Sequence, residues 1–280
     1  MSRTLLIILL LPLTLTAQRR LNLTVFGGFS NYSGDLQDKR FTLDQAHAGF
    51  GAGLSYELAP KWNLHGTLKK GKVSADDKFS SDPLKKARNL NFVSNIYEAA
   101  LTVEYSFNDL YDKSWTPYLF AGGAFFRYNP QGIGTVALRP LSTEGQGFIN
   151  GRDPYKLITI AAPMGAGIRL RIKDNVYLGY EIGLRVTLTD YIDDVSKTYV
   201  DHDLLLQNRG QTAVDLAFRG DDLKPDTPYP PAGTVRGSPK YNDFYYFSGI
   251  TFSIGILNQD GKLFGRNPHT GSVACPKSVL

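Results

Sequence analysis

The segment Val176-Tyr177-Leu178-Gly179-Tyr180-Glu181-Ile182-Gly183-Leu184-Arg185-Val186-Thr187-Leu188 carries two different chemistries at alternate positions. Its even positions are all apolar, whereas Tyr177, Gly179, Glu181, Gly183, Arg185 and Thr187 mix glycine with charge. Successive side chains on a strand point to opposite sides, so this stretch reads as a strand with one greasy and one ionic face. A water-soluble barrel would put the apolar set inside. Here the ionic face also carries glycines, which suits a crowded polar interior, and the continuous apolar face suits lipid.

Reading outward from it for the same period gives seven more segments: Leu21 to Tyr32, Ala48 to Leu58, Trp62 to Val73, Asn95 to Phe107, Thr116 to Tyr128, Ile158 to Ile172 and Phe244 to Leu257. Each has the length of a tilted transmembrane strand, and the total is even, as a closed bacterial barrel requires. Three connections are short and turn-like: Ala59-Pro60-Lys61, Asn108 to Trp115 and Lys173-Asp174-Asn175. The other four, around 33–47, 74–90, 129–157 and 189–243, are long and polar. This alternation places both termini with the short turns in the periplasm and the long loops outside the cell. The expected fold is all-β, an eight-stranded antiparallel transmembrane β-barrel.

The predicted outward sets are Leu54 and Tyr56; Tyr97, Leu101, Val103 and Tyr105; Phe120, Phe126 and Tyr128; and Ile250, Phe252, Ile254 and Ile256. Aromatics at strand ends, Trp62, Tyr105, Phe107, Tyr118, Tyr128, Phe244 and Tyr246, are expected to form interfacial girdles. The predicted inward set holds Glu57, Lys69, Glu98, Glu104, Arg127, Arg169, Arg171, Glu181 and Arg185, four acids against five bases. Inward Gly49, Gly51, Gly53, Gly123, Gly165, Gly167, Gly249 and Gly255 leave room for them. An eight-stranded lumen is barely wide enough for its own side chains, and an unpaired charge there costs several kcal/mol. A paired network is therefore expected rather than a channel lining.

Residues 1–17 have the layout of a cleaved secretory signal: Arg3, an apolar run from Leu5 to Leu15, and the small-residue exit Thr16-Ala17. The expected organisation is signal peptide over 1–17, barrel over 18–257 and a periplasmic tail over 258–280. Nothing after the signal approaches a helical membrane span. Lone Cys275 excludes an intrachain disulfide, and the net charge of +5 is scattered among acids, so no nucleic-acid partner is expected. Outer-membrane lipid and lipopolysaccharide are the expected surroundings.

Of the four histidines only His65 is placed inside the barrel by parity, with Asn63, Thr67 and Lys69. No neighbouring strand presents a serine and a carboxylate at a matching level, so no catalytic residue is assigned. Asp190, Asp193 and Asp194 could offer oxygen to a divalent cation, but they lack EF-hand spacing, and a loop held by Asp-to-backbone hydrogen bonds is the better reading. No metal or cofactor is expected. The helix candidate spans Asp201 to Phe218, with Leu204, Leu205, Ala213, Leu216 and Phe218 as a partial apolar stripe and Gly210 interrupting it.

Four segments carry a family resemblance. Tyr32-Ser33-Gly34-Asp35-Leu36 follows the first strand, and Leu138 to Gly147, with Pro140, Thr143, Glu144 and Gly145, lies in the third long loop. Thr189 to Ser196, with Asp190, Tyr191, Asp193 and Asp194, follows the seventh strand. Val235 to Tyr245, with Arg236, Gly237, Asn242 and Asp243, enters the eighth. In this order they resemble the PorG-like outer-membrane barrels of Bacteroidota, a family associated with type IX secretion and gliding. The resemblance implies a small non-catalytic barrel beside a periplasmic ring formed by the PorK lipoprotein and PorN. Unlike a barrel that ends on a terminal aromatic, the chain continues past Leu257 to Leu280. The stand-alone alternative is a barrel of the OmpX or OmpA membrane-domain kind, whose long loops bind ligands or stabilise the surface.

Overall fold

The computed structural model describes residues 20–39, 41–110 and 112–257. The segments read as signal peptide and periplasmic tail lie outside these residues. The strands are β1 (Leu21–Ser33), β2 (His47–Ala59), β3 (Trp62–Asp76), β4 (Asn91–Ser106), β5 (Trp115–Arg127), the two-residue β6 (Pro130–Gln131), β7 (Ile158–Lys173), β8 (Val176–Thr187) and β9 (Phe244–Leu257). Eight of them form a closed antiparallel barrel in the order β3-β2-β1-β9-β8-β7-β5-β4, sealed by pairing of β3 with β4. That seam runs from Trp62↔Tyr105 to Asp76↔Asn91, so no long strand edge is left unpaired. β6 extends the wall above β5 by pairing with Val93 and Ser94. Among the described residues no helix is long and apolar enough to cross a membrane.

Sidedness in β8 follows its chemistry. Leu178, Tyr180, Ile182 and Val186 are exposed on the outer wall, while Arg185 and Thr187 are buried inside. Leu54, Leu101, Ile168, Ile250 and Phe252 continue the outer apolar belt. In water such a belt would be a severe liability; against acyl chains it is the anchoring surface.

β5 departs from the expected sidedness by one residue. Tyr118, Phe126 and Tyr128 are 2%, 1% and 0% exposed and point inward, whereas Leu119 and Phe125 face out. Gly123 and Arg127 likewise lie on the outer wall rather than in the lumen. The register shows why: Phe126 pairs with inward Glu98, and Arg127 with outward Tyr97. Both faces of β5 are apolar, so period two carries no sidedness there, and Arg127 alone suggested the wrong face. The correction leaves four acids and four bases among the lumen set, in place of four and five.

The girdle is also redistributed. Trp62, Tyr105 and Phe107 do cluster at the short-turn rim, with ring centroids 4.9 and 5.4 Å apart. Tyr246 is covered by Phe41 at 5.4 Å, and its hydroxyl donates to the Thr42 carbonyl. The interior is layered rather than polar throughout. Above the charged layers Phe26, Ile96, Phe126, Tyr245 and Phe247 form an aromatic core that continues through Tyr32, Phe92 and Tyr128 into the loops.

The loops fold into a cap. A short helix, α1 (Pro83–Arg88), lies in the second loop, capped by Asp82, whose side chain accepts from the Leu84 amide. The fourth loop holds α2 (His202–Arg209) and α3 (Gln211–Ala217), split at Gly210, whose φ of 81° is open to glycine at little cost. Leu205, Ala213, Val214 and Ala217 bury against Leu141, Phe148 and Ile149 of the third loop.

Candidate functional site: a plugged lumen under a carboxylate-rich cap

In the lumen, three ion pairs lie between the short-turn mouth and the aromatic core, with Lys69 and Glu98 of two of them register partners at one level. Arg169 meets both oxygens of Glu104 at 2.7 Å, and Asn63 donates to the same carboxylate at 3.2 Å. Lys69 contacts Glu181 at 2.5 Å while lying 4.3 Å from the Phe26 ring. Arg185 holds Glu98 through Nε at 2.9 Å and Nη2 at 3.2 Å, and Tyr245 adds its hydroxyl at 2.8 Å. Lys69 and Glu181 come from strands on opposite sides of the barrel, whereas Arg185 and Glu98 sit three strands apart and Arg169 and Glu104 two, so the pairs brace the bore along chords of different length. Glu57 lines the mouth at the short-turn end, and Arg171 is half-buried near it. The remaining space is small: a vestibule of about 60 Å³ below and a cavity of about 40 Å³ beside Lys69 and Glu181.

Sequence reasoning missed one constellation. Ser55 Oγ and Glu104 Oε2 both approach His65, at 3.5 and 3.1 Å. Serine on β2, histidine on β3 and carboxylate on β4 meet only because pairing aligns Ser55↔His65 and His65↔Thr102 beside Glu104. A Ser-His-acid relay needs the serine and the acid on opposite ring nitrogens. Here both lie on Nε2, and Arg169 already grips the acid, so the trio belongs to the ion-pair layer.

Above the aromatic core, the motif residues from four loop-strand junctions converge. Arg236 is 3% exposed and donates to Glu144 Oε1 at 3.1 Å and to the Asp194 carbonyl at 2.6 Å. Glu144 also accepts from the amides of Ser196 and Lys197, at 2.9 and 3.1 Å. Thr143 and Tyr155 donate to Asp194 at 2.5 and 2.7 Å, and Tyr155 stacks on Tyr191 with centroids 4.7 Å apart. Tyr32 donates to Asp193 at 2.5 Å and to Asp243 at 3.1 Å. Asp243 accepts the Ile192 amide as well, and Asn242 donates to the Thr187 carbonyl. Asp35 accepts from the Ser238 amide, and Arg88 bridges Asp77 to the carbonyls of Asp35 and Arg236.

Two glycines are needed by this crowding. A Cβ on Gly34 would lie 1.9 Å from Asp243 Oδ1 and 2.0 Å from the Tyr32 hydroxyl. One on Gly237 would lie 2.6 Å from Asp35 Oδ2 and 2.7 Å from the Ser196 amide nitrogen. Gly145 sits at a φ of 83° in the third loop, and Pro140 is within the single helical turn Arg139–Leu141 just before Thr143.

Acids outnumber bases in the cap, and their ionisation responds. Burial raises the Asp190 carboxyl to about 8, with nearby Asp193 and Asp35 adding to the shift. Its Oδ2 is buried without a hydrogen-bond partner, which is the cost burial imposes on a lone carboxylate. Burial likewise pushes Asp243 and Asp193 well above the usual carboxylate range, Asp243 further under the field of Asp193 and Asp190. Asp194 rises to about 6 through burial, held there by the opposing pull of Arg236. Only Asp193 makes the expected local Asp-to-backbone bond, accepting from the Val195 amide at 2.9 Å. Among the described residues no three His, Cys, Asp or Glu side chains are placed to hold a metal ion.

Residues 2–207 match the model of a family described as Domain of unknown function (DUF6089). No curated protein matches the chain. Among solved structures it is similar to Neisserial surface protein A at 9% identity and a TM-score of 0.44, covering 84% of this chain and 96% of that one. OprG of Pseudomonas aeruginosa gives 10% identity and a TM-score of 0.41 over 85% and 98% of the two chains. Ail, the attachment invasion locus protein of Yersinia pestis, solved with the heparin analogue sucrose octasulfate, gives 9% and 0.40 over 85% and 97%.

Proposed function

The chain belongs to the DUF6089 family, and from that premise we propose that it is a non-catalytic outer-membrane barrel serving as a structural or accessory component of type IX secretion. The observation that carries a structural role is the double closure of the lumen. Three ion pairs fill its lower part, and an aromatic core with a folded cap fills its upper part. A barrel without a bore offers surfaces rather than a path. The assignment to secretion rests on the resemblance of the four junction segments to PorG-like barrels. Its contact face would be the periplasmic one, where Lys61, Asn63, Asn108 and Asp109 ring the vestibule.

The test is crosslinking from the periplasmic turns in intact cells, followed by co-purification. Recovery of PorK-like and PorN-like ring proteins is the expected result; a clean pull-down without them removes the secretion role. A second reading, a stand-alone surface barrel of the OmpX or OmpA kind, is favoured by the cap itself. Its loops share a hydrophobic core instead of fraying, so they present a fixed outer surface. In that case ring proteins are absent from the crosslinks and deletion leaves secretion intact.

A further inference from the structure

The correction to β5 exposes a feature of the outer wall. Arg127 pairs in register with Tyr97, and Tyr97 with Lys70, so the three stand side by side on β5, β4 and β3, all facing outward. Lys72 projects from the same side one step nearer the extracellular end of β3. The Lys70 ammonium leans over the Tyr97 ring, 5.4 Å from its centroid, and so toward Arg127 two strand spacings, about 10 Å, away. The outward faces of β1, β2, β7, β8 and β9 carry no cation through their apolar belts. Basic side chains on this wall are therefore gathered in one sector, at the edge nearer the long loops.

Directly below that row the surface is carved. Ala99 lies between Leu68 and Phe125, which pair with it from either side and are 67% and 65% exposed. The next row down has Gly66 and Gly123 flanking Leu101, and a Cβ at either glycine would meet nothing within 4 Å. Above that glycine row Phe50, Leu68, Ala99, Phe125 and Ile158 line a shallow, open apolar groove of about 630 Å³ that also takes in Lys70 and Arg127. A cation at membrane depth is costly unless its charge is met, and Arg favours paired recognition of phosphate. None of the three cations has an ion-pair partner among the described carboxylates.

We propose that this sector is a specific binding site for a phosphorylated, multiply acylated glycolipid of the lipid A type. The phosphate is bridged by Lys70 and Arg127 over the Tyr97 ring, with Lys72 above, and acyl chains lie in the Ala99 groove between Leu68 and Phe125. The site rests on the long loops facing out of the cell, which places the row in the outer leaflet, and it is independent of any secretion role.

The test uses the full-length barrel purified in detergent and native mass spectrometry with added lipid A, against phosphatidylglycerol as a phospholipid of the same charge sign. The wild type is expected to retain lipid A in preference to phosphatidylglycerol. The Lys70→Ala/Arg127→Ala double variant should lose at least tenfold in retention, and Ala99→Leu, which fills the groove without touching a charge, several-fold. Lys70→Arg/Arg127→Lys, which keeps both charges, should retain binding, and Lys173→Ala at the periplasmic end should be neutral. Heat-modifiable migration on gels confirms that each variant is folded. Undiminished lipid A retention by the folded double variant would overturn the site. Equal retention of phosphatidylglycerol by the wild type would overturn its assignment to a glycolipid.

Discussion

The barrel interior and the loop cap are both buried and both rich in carboxylates, yet they balance charge in opposite ways. In the barrel Glu98, Glu104 and Glu181 each face a base on another strand: Arg185, Arg169 and Lys69. In the cap Asp35, Asp77, Glu144, Asp190, Asp193, Asp194 and Asp243 share two buried arginines, Arg88 and Arg236, and tyrosine hydroxyls or backbone amides reach all of them but Asp190. Strand register sets partners at fixed heights, so the barrel can pair acid with base. Loops bring donors of every kind, but of their cations only Arg88 and Arg236 are buried in the carboxylate cluster, so the cap depends on neutral donors and on protons. The lumen is therefore braced by ion pairs, and the cap by neutral donors around carboxyl groups whose ionised form burial disfavours.

The largest expected effect is on the ion-paired lumen. Arg185→Leu removes the partner of a fully buried Glu98 and the cation stacked 4.9 Å from Phe247. Breaking one side of such a pair costs about 3–5 kcal/mol, read as a lower temperature for loss of the heat-modifiable band. The double variant Arg185→Leu/Glu98→Leu should recover most of it; a single variant that melts like the parent would end the pairing argument. Arg236→Met in the cap is expected to cost somewhat less, about 3 kcal/mol, because Glu144 keeps two backbone amides. Its damage should appear as protease cleavage within residues 128–157 and 188–243 with the barrel band unchanged, and a parallel loss of both would show that the regions are one unit.

Next comes pH. A carboxyl whose folded-state value is raised stabilises the fold fully below its unfolded value, and that contribution is lost as pH rises through the folded one. For Asp190 the window runs from about 3.8 to about 8. Protection of residues 188–200 from hydrogen exchange should fall as pH rises from about 4 to about 8 and level off above that, while the barrel strands stay protected. Asp190→Asn should flatten that slope and leave the cap about 2 kcal/mol more stable than the parent at pH 9. An unchanged slope would assign the sensitivity elsewhere. Tyr32→Phe deletes one hydroxyl shared by Asp193 and Asp243 and should cost about 1 kcal/mol, measured by the same exchange. The smallest effect is expected at the partly exposed Lys85–Asp38 pair, where Lys85→Ala should change stability by about 0.5 kcal/mol or less.

Legibility tracked how sharply the two faces of a strand differ in chemistry. In β8 glycine and charge oppose unbroken grease, and the inward set Glu181 and Arg185 could be read directly. In β5 Tyr118, Phe120 and Phe126 oppose Leu119 and Phe125, and either set could meet lipid. The aromatics Tyr118 and Tyr128 read as girdle residues because a ring serves as well at a membrane interface as in a core. The short Asp190 to Asp194 stretch was visible as a carboxylate cluster, but its partners were not: Tyr32 and Asp193 are 161 residues apart, and Arg236 and Glu144 are 92 apart. Likewise nothing in the spacing of Ser55, His65 and Glu104 announces that three strands bring them together.

What this sequence determined by itself is the number of barrel strands, nearly all their limits, the alternation of short turns with long loops, and sidedness wherever one face is ionic. Those are properties of a single chain segment, fixed by the two-residue repeat of its side chains. The tertiary structure decided which apolar face of β5 looks inward, which acid meets which base, and that four distant junctions share one buried cluster. Each of these depends on the register between strands, and register is set by neighbours that no local pattern contains.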